Sequence, residues 1–171
     1  MSLTTVRNLI VSKLYAKTAK PVIQMEQTAT KPAYPFIGYK IIVSDNREPG
    51  QSIMERVAVT STDPLFDYDI KETAIDQVTA TFSFNAYGAK PADAYDLALT
   101  AKNFIEHNLY YDLKDINAVV VSVEAVGDRT VLIETSYEFR YGFDVIIRMV
   151  NSVDRIVANI ENSEFIEIPE D

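Results

Sequence analysis

The chain has 171 residues, 47% apolar and 24% charged, with a net charge of −9 and no cysteine. That length suits one domain with a sizeable core, and the composition is that of a soluble globular protein. The missing cysteine excludes disulfides and thiolate chemistry and fits a reducing compartment, and the acidic balance argues against a broad DNA-binding face, which needs clustered Lys and Arg.

No apolar run approaches the roughly 20 residues that span a bilayer, so no membrane association is expected. Residues 1–20 lack the apolar block and cleavage site of a signal peptide. Glu161, Glu164, Glu167, Glu170 and Asp171 stand in a stretch without Lys or Arg, so residues 161–171 carry −5 and leave −4 over residues 1–160. One domain over 1–160 with an acidic tail at 161–171 is expected.

Val6, Leu9, Ile10 and Leu14 share one stripe, which predicts an N-terminal helix with Thr4 or Thr5 as its cap. Lys13, Lys17 and Lys20 lie toward its C-terminal end, where the helix dipole favours cations, and Pro21 stops it. Residues 24–35 read as a loop with two prolines. A strand, FIGYKIIVS, follows at 36–44. DNREPGQS at 45–52 reads as an exposed turn, and IMERVAVTS at 53–61 as the second strand of a hairpin with 36–44. The stretch 62–72 reads as irregular. From Gln77 the pattern alternates: Val78, Ala80, Phe82, Phe84 and Ala86 one way, Gln77, Thr79, Thr81, Ser83 and Asn85 the other. That predicts a half-buried strand.

Pro91 suits the first position of a helix whose stripe is Ala94, Leu97, Ala98, Ala101, Phe104, Ile105 and Leu109. A strand is predicted at 118–126, a turn at Gly127-Asp128 and a long strand at 136–150. In that last strand every odd position from Tyr137 to Met149 is apolar or aromatic, so one face lies on a core. The other face carries Glu138, Arg140, Asp144 and Arg148. Val153, Ile156, Val157 and Ile160 predict a short helix after Ser152, and FIEIP at 165–169 could dock as an edge strand. The sum is an α+β fold: a mostly antiparallel four- to five-stranded sheet with helices packed on one face.

Candidate chemistry is sparse. His107 is the one histidine, expected at a helix end, and no second His or Cys completes a transition-metal site. No glycine-rich phosphate loop and no GxSxG elbow occur. Asp63, Asp67, Asp69 and Glu72 could hold a hard cation, but the spacing lacks the glycine and terminal glutamate of a calcium loop, and a solvated loop is the better reading. Tyr110-Tyr111-Asp112 reads as a core cap or an aromatic contact patch. No cofactor, no metal and no enzymatic activity are expected. The face with Glu138, Arg140, Asp144 and Arg148 is either a solvated sheet face with ion pairs contributing about 0–1 kcal/mol each, or a subunit interface whose register is set by charge.

Three stretches, YPFIGYK (34–40), FSFNAYGAKPADAYDLALTAKNFI (82–105) and YEFRYGFDVIIRMV (137–150), resemble in order and spacing the phage neck and tail-terminator proteins of tailed phages and prophage-derived particles. The likeness spans roughly residues 3–157. The stretch 44–72 and the acidic tail depart from it. The resemblance implies a structural virion protein of the neck, assembled in the host bacterial cytoplasm. It implies a homo-oligomer, a hexameric ring that caps the tail tube and meets the tail-tube protein and the head-connector protein. DNA would pass through its lumen without specific binding. On that reading Glu138, Arg140, Asp144 and Arg148 face the next subunit, and the loop with Asp45, Asn46, Arg47 and Glu48 faces the lumen or a partner ring. The alternatives are a head-completion connector, a tail-tube ring protein, or a small-ligand-binding α+β domain.

Overall fold

The computed structural model describes residues 2–64 and 66–158. Its elements are α1 (Leu3–Thr18), β1 (Val22–Gln24), β2 (Phe36–Arg47), β3 (Ile53–Thr60), β4 (Tyr68–Gly88), α2 (Pro91–His107), α3 (Tyr110–Lys114), β5 (Ala118–Val123), β6 (Gly127–Asp128), β7 (Val131–Ile133) and β8 (Ser136–Ala158). The class is α+β, as the sequence predicts. The sheet has eight strands rather than four or five. Its order is β1-β2-β4-β8-β5, with β3 also on β4 and with β6 and β7 also on β8. The short parallel pair of β1 with β2 makes it a mixed sheet, otherwise mostly antiparallel.

The helices follow their stripes. Val6, Ile10 and Leu14 are the buried face of α1. The cap is Ser2 rather than Thr4 or Thr5: its hydroxyl accepts from the Thr4 N–H at 3.2 Å, satisfying one of the donors a helix start leaves open. The chain leaves α1 at Ala19, in the left-handed region at φ 52, with its N–H donating to the Tyr15 carbonyl. In α2, Pro91 opens the helix, and Ala94, Ala98, Ala101 and Ile105 are buried. These small residues let α2 approach α1 closely. Helix residues share one core cluster with Val78, Ala80, Phe82 and Phe84 of β4 and with Phe143, Val145, Ile147 and Met149 of β8.

Five expectations are corrected. The stretches 36–44 and 53–61 form no hairpin. β4 is 21 residues long, and Tyr68–Ile75 takes β3 while Val78–Tyr87 takes β2. Part of the segment read as irregular, Tyr68–Glu72, is therefore strand. The turn read at 45–52 begins later, because β2 continues to Arg47 and pairs Asn46 with Thr79 and Arg47 with Val78. The helix expected after Ser152 is the end of β8. Its Val, Ile and Val are β-branched, which favours a pleated strand, and the same apolar positions suit either period over so short a run. Finally, Gly127-Asp128 is not a turn but the short strand β6, pairing with Gly142 and Tyr141. The FIEIP stretch and the acidic tail lie outside the described residues.

Among the described residues the chain divides into two compact units: a larger one from 2–49 and 77–151, and a smaller one from 50–64, 66–76 and 152–158. The core cluster belongs to the larger. In the smaller, β3 pairs with the first half of β4, and side chains of the β8 end meet that same half: Asp154 accepts from Thr73 at 2.8 Å and pairs with Lys71 at 2.7 Å.

Candidate subunit interface

The apolar face of β8 is buried only along part of its length. Phe143, Val145, Ile147 and Met149 are in the core, whereas Phe139 and Tyr141 are half-buried and Tyr137 is 64% exposed. The strand outruns the core at its start, where the three-residue β7 pairs with Ser136–Glu138.

The opposite face holds its charges against the protein's own groups. Asp144 accepts from the Ser83 hydroxyl at 2.6 Å and from Arg129 at 2.9 Å. Arg129 also donates to Ser83 at 2.8 Å and to Asn85 at 3.3 Å. To make these bonds the Arg129 side chain crosses β8 at Gly142, where a Cβ would lie 2.9 Å from Arg129 Cδ and 2.6 Å from the Phe84 carbonyl. Gly142 is thus a close-approach glycine. Arg140 donates through Nε to the Arg129 carbonyl. Glu138 pairs with Lys31 and accepts from the Tyr34 hydroxyl at 2.9 Å. The Lys31 ammonium also sits over the Tyr34, Phe36 and Tyr87 rings, at 4.9, 5.6 and 5.2 Å from their centroids, where ring quadrupoles attract a cation. Arg148 alone has a loose partner, Glu48 at 3.5 Å, with both side chains more than a third exposed. All four residues thus have partners within the chain, and the face fastens β4, β8 and the segment around β6.

Asp45, Asn46 and Arg47 are exposed at the end of β2, with Asn46 donating to Thr79 at 3.4 Å. Glu48 follows, half-buried, its N–H donating to the Gln77 carbonyl. His107 is exposed at the end of α2 beside Glu106. Tyr110 and Tyr111 are both exposed, their rings edge-on at 5.2 Å. Asp63 and Asp67 are exposed, while Glu72 lies between two arginines: Arg56 of β3 at 2.7 Å and Arg155 of β8 at 2.5 Å. Among the described residues no cluster of His, Cys, Asp and Glu has metal-holding geometry.

The sequence reading missed the free sheet edges. β5 and β2 are irregular: the register shifts between Val120 and Ser122 on β8, and between Ile41 and Val43 and between Val43 and Asn46 on β4. Such bulges twist an edge and discourage a further strand. β3 differs. It pairs with β4 over eight consecutive positions, Ile53↔Ile75 to Thr60↔Tyr68, without a shift, and among the described residues it has no second partner. Ile53, Met54 and Val57 are 64%, 44% and 61% exposed. In the same small unit the β8 end exposes Val153, Ile156 and Val157. A regular apolar edge without Lys or Pro is a template for another strand.

A family model described as phage neck terminator protein matches residues 3–170. The chain belongs to that family. Membership makes it a structural protein of the phage neck, a virion component. The match runs through the 44–72 stretch and nearly to the end of the acidic tail, both of which stand outside the likeness seen in the sequence. The terminator's β3, β4 and β8 all lie within the matched span. No curated protein matches the chain. Among the described residues no helix is long and apolar enough to cross a membrane.

Proposed function

We propose that this neck terminator works as a closed hexameric ring of identical copies, capping the finished tail tube and joining it to the head connector. The observation that carries the ring is the edge of β3, regular in register, rich in exposed apolar side chains and, among the described residues, paired on one side. Closed rings need a heterologous contact, one surface meeting a different surface on the next copy. A strand edge that meets a different edge of its neighbour provides one, and its backbone groups supply directional bonds that fix the repeat angle. On this reading Glu138, Arg140 and Asp144 keep the subunit rigid, and Arg148 is the member of the charged face with reach to a neighbour. The net charge of −9 supports a lumen that repels phosphate and lets DNA slide. Asp45 and Glu48, at the β2 end, are proposed to face that lumen or the adjoining ring.

The test replaces Ile53 and Val57 by Lys. Both side chains are mostly exposed in the single chain, so stability should move by less than about 0.5 kcal/mol. Lysine on a strand edge blocks a further strand. A phage lacking its own terminator should therefore regain normal particles with the unaltered protein but not with Ile53→Lys/Val57→Lys. Electron microscopy should show uncapped tails without heads. Normal particle yield from the doubly substituted protein would refute the β3 contact.

A further inference from the structure

A second surface bears on how copies hold one another. In the larger unit the end of α3, the start of β5 and the middle of β8 line an open surface recess of about 270 Å³. Its apolar wall includes Val119 and Val150, its amides are Gln77 and Asn117, and its cations are Lys114 and Arg148. Arg148 has Glu48 at 3.5 Å, long for an ion pair and exposed on both sides, so that pair holds it weakly. Lys114 has no carboxylate within 4 Å among the described residues. Two underused cations beside an apolar wall fit a segment that alternates carboxylates with large apolar side chains.

The chain contains such a segment. Residues 161–171 place Glu164, Glu167 and Glu170 around Phe165, Ile166 and Ile168, with Asp171 beyond and no Lys or Arg. They hold five of the chain's acidic residues. A guanidinium takes a carboxylate in two-point contact where geometry allows, so a glutamate from this segment would displace the loose Glu48 contact. We infer that the recess receives the acidic C-terminal segment of a neighbouring copy. This rests on the ring reading, and it adds a charged clasp to the strand contact. Attraction at such a clasp falls with salt, because its partners sit near the surface.

The experiment mixes two populations of the full chain. One is isotope-labelled on Val and Met methyls and carries Glu164→Gln, Glu167→Gln and Glu170→Gln, so its own segment is nearly neutral. The other is unlabelled and unaltered. The methyl signals of Val119, Val150 and Met149 in the labelled copies should shift on mixing. The shift should vanish when the unlabelled copies carry the same three glutamines. The concentration of unlabelled chain needed for half the shift should rise at least tenfold when the labelled copies also carry Lys114→Glu. Electron microscopy of the same mixtures reports rings. Rings without the shift would overturn the clasp and leave the ring standing; a shift without rings would keep the clasp and remove the ring. Absence of both overturns both. The same signals differing between unaltered and tail-neutral protein at monomeric dilution would mean that the segment docks on its own chain, which also overturns the proposal.

Discussion

Phe143 and Tyr137 stand on the same face of the same strand and should respond oppositely to truncation. Phe143 is 1% exposed and packs on Phe84, with ring centroids 5.6 Å apart, so Phe143→Ala should cost about 3–5 kcal/mol. Tyr137→Ala should change stability by no more than about 0.5 kcal/mol, since most of that ring is already in water. Chemical denaturation of both variants checks this: equal losses would mean that the core extends to the start of β8. Gly142 makes a second prediction. Its missing side chain is the passage for Arg129, and a Cβ there would meet the backbone carbonyl of Phe84, which cannot swing aside. Gly142→Ala should destabilise by about 1–3 kcal/mol. An unchanged denaturation midpoint would show that Arg129 does not cross there. Alternation identified the buried members of this strand, because a half-buried strand writes its two faces into sequence. It could not identify Arg129 as the partner of Asp144, since that contact depends on which strands lie side by side.

The three-stranded small unit has a ladder of its own. Glu72 of β4 accepts from Arg155 of β8 and Arg56 of β3, and these bonds, Arg155 first, hold its carboxyl below the usual glutamate range. Lys71, then Thr73, hold Asp154 low in the same way. A carboxylate whose folded pKa is depressed contributes stability above its unfolded pKa and loses it as pH falls through the folded value. Amide exchange in β3 should therefore quicken as pH drops below the ordinary carboxylate range, once intrinsic exchange is corrected for. Salt should weaken the effect, because both arginines are largely exposed. Glu72→Gln should flatten the dependence; an acid response that survives both this change and high salt would assign it elsewhere. In this unit the sequence showed β3 as a strand, Ile53–Thr60 within the expected 53–61, but neither its partner nor the strand end of β8. β3 and the end of β8 lack alternation because neither face of these segments is well buried, so periodicity has nothing to report. The pairing of β3 with β4 rather than β2 follows from the length of β4, and the stretch before Asp76 gave no sign of strand. By contrast α1, α2, the second half of β4 and the core of β8 were plain, each having one buried face and one wet one.

At the scale of the molecule, membership of the neck-terminator family and the proposed ring rest on different features. Membership rests on residues 3–170 as a whole; the ring rests on one regular edge and the apolar side chains around it. The charged face of β8, one of the contacts the sequence offered, is occupied in part by the chain's own Arg129, Ser83, Lys31 and Tyr34. Residue spacing could not reveal that occupation, because those partners come from distant segments. The chain has no cysteine, so a single introduced thiol reports its surroundings without ambiguity. The most direct test places a photoreactive group on Val57→Cys, in the middle of the β3 edge, and irradiates the protein in assembled necks. A β3 ring contact predicts a ladder of crosslinked copies of this chain, ending at the hexamer, with the attachment points on a strand edge of the neighbour. Adducts formed solely with other neck or tail proteins, or none at all in intact particles, would contradict it.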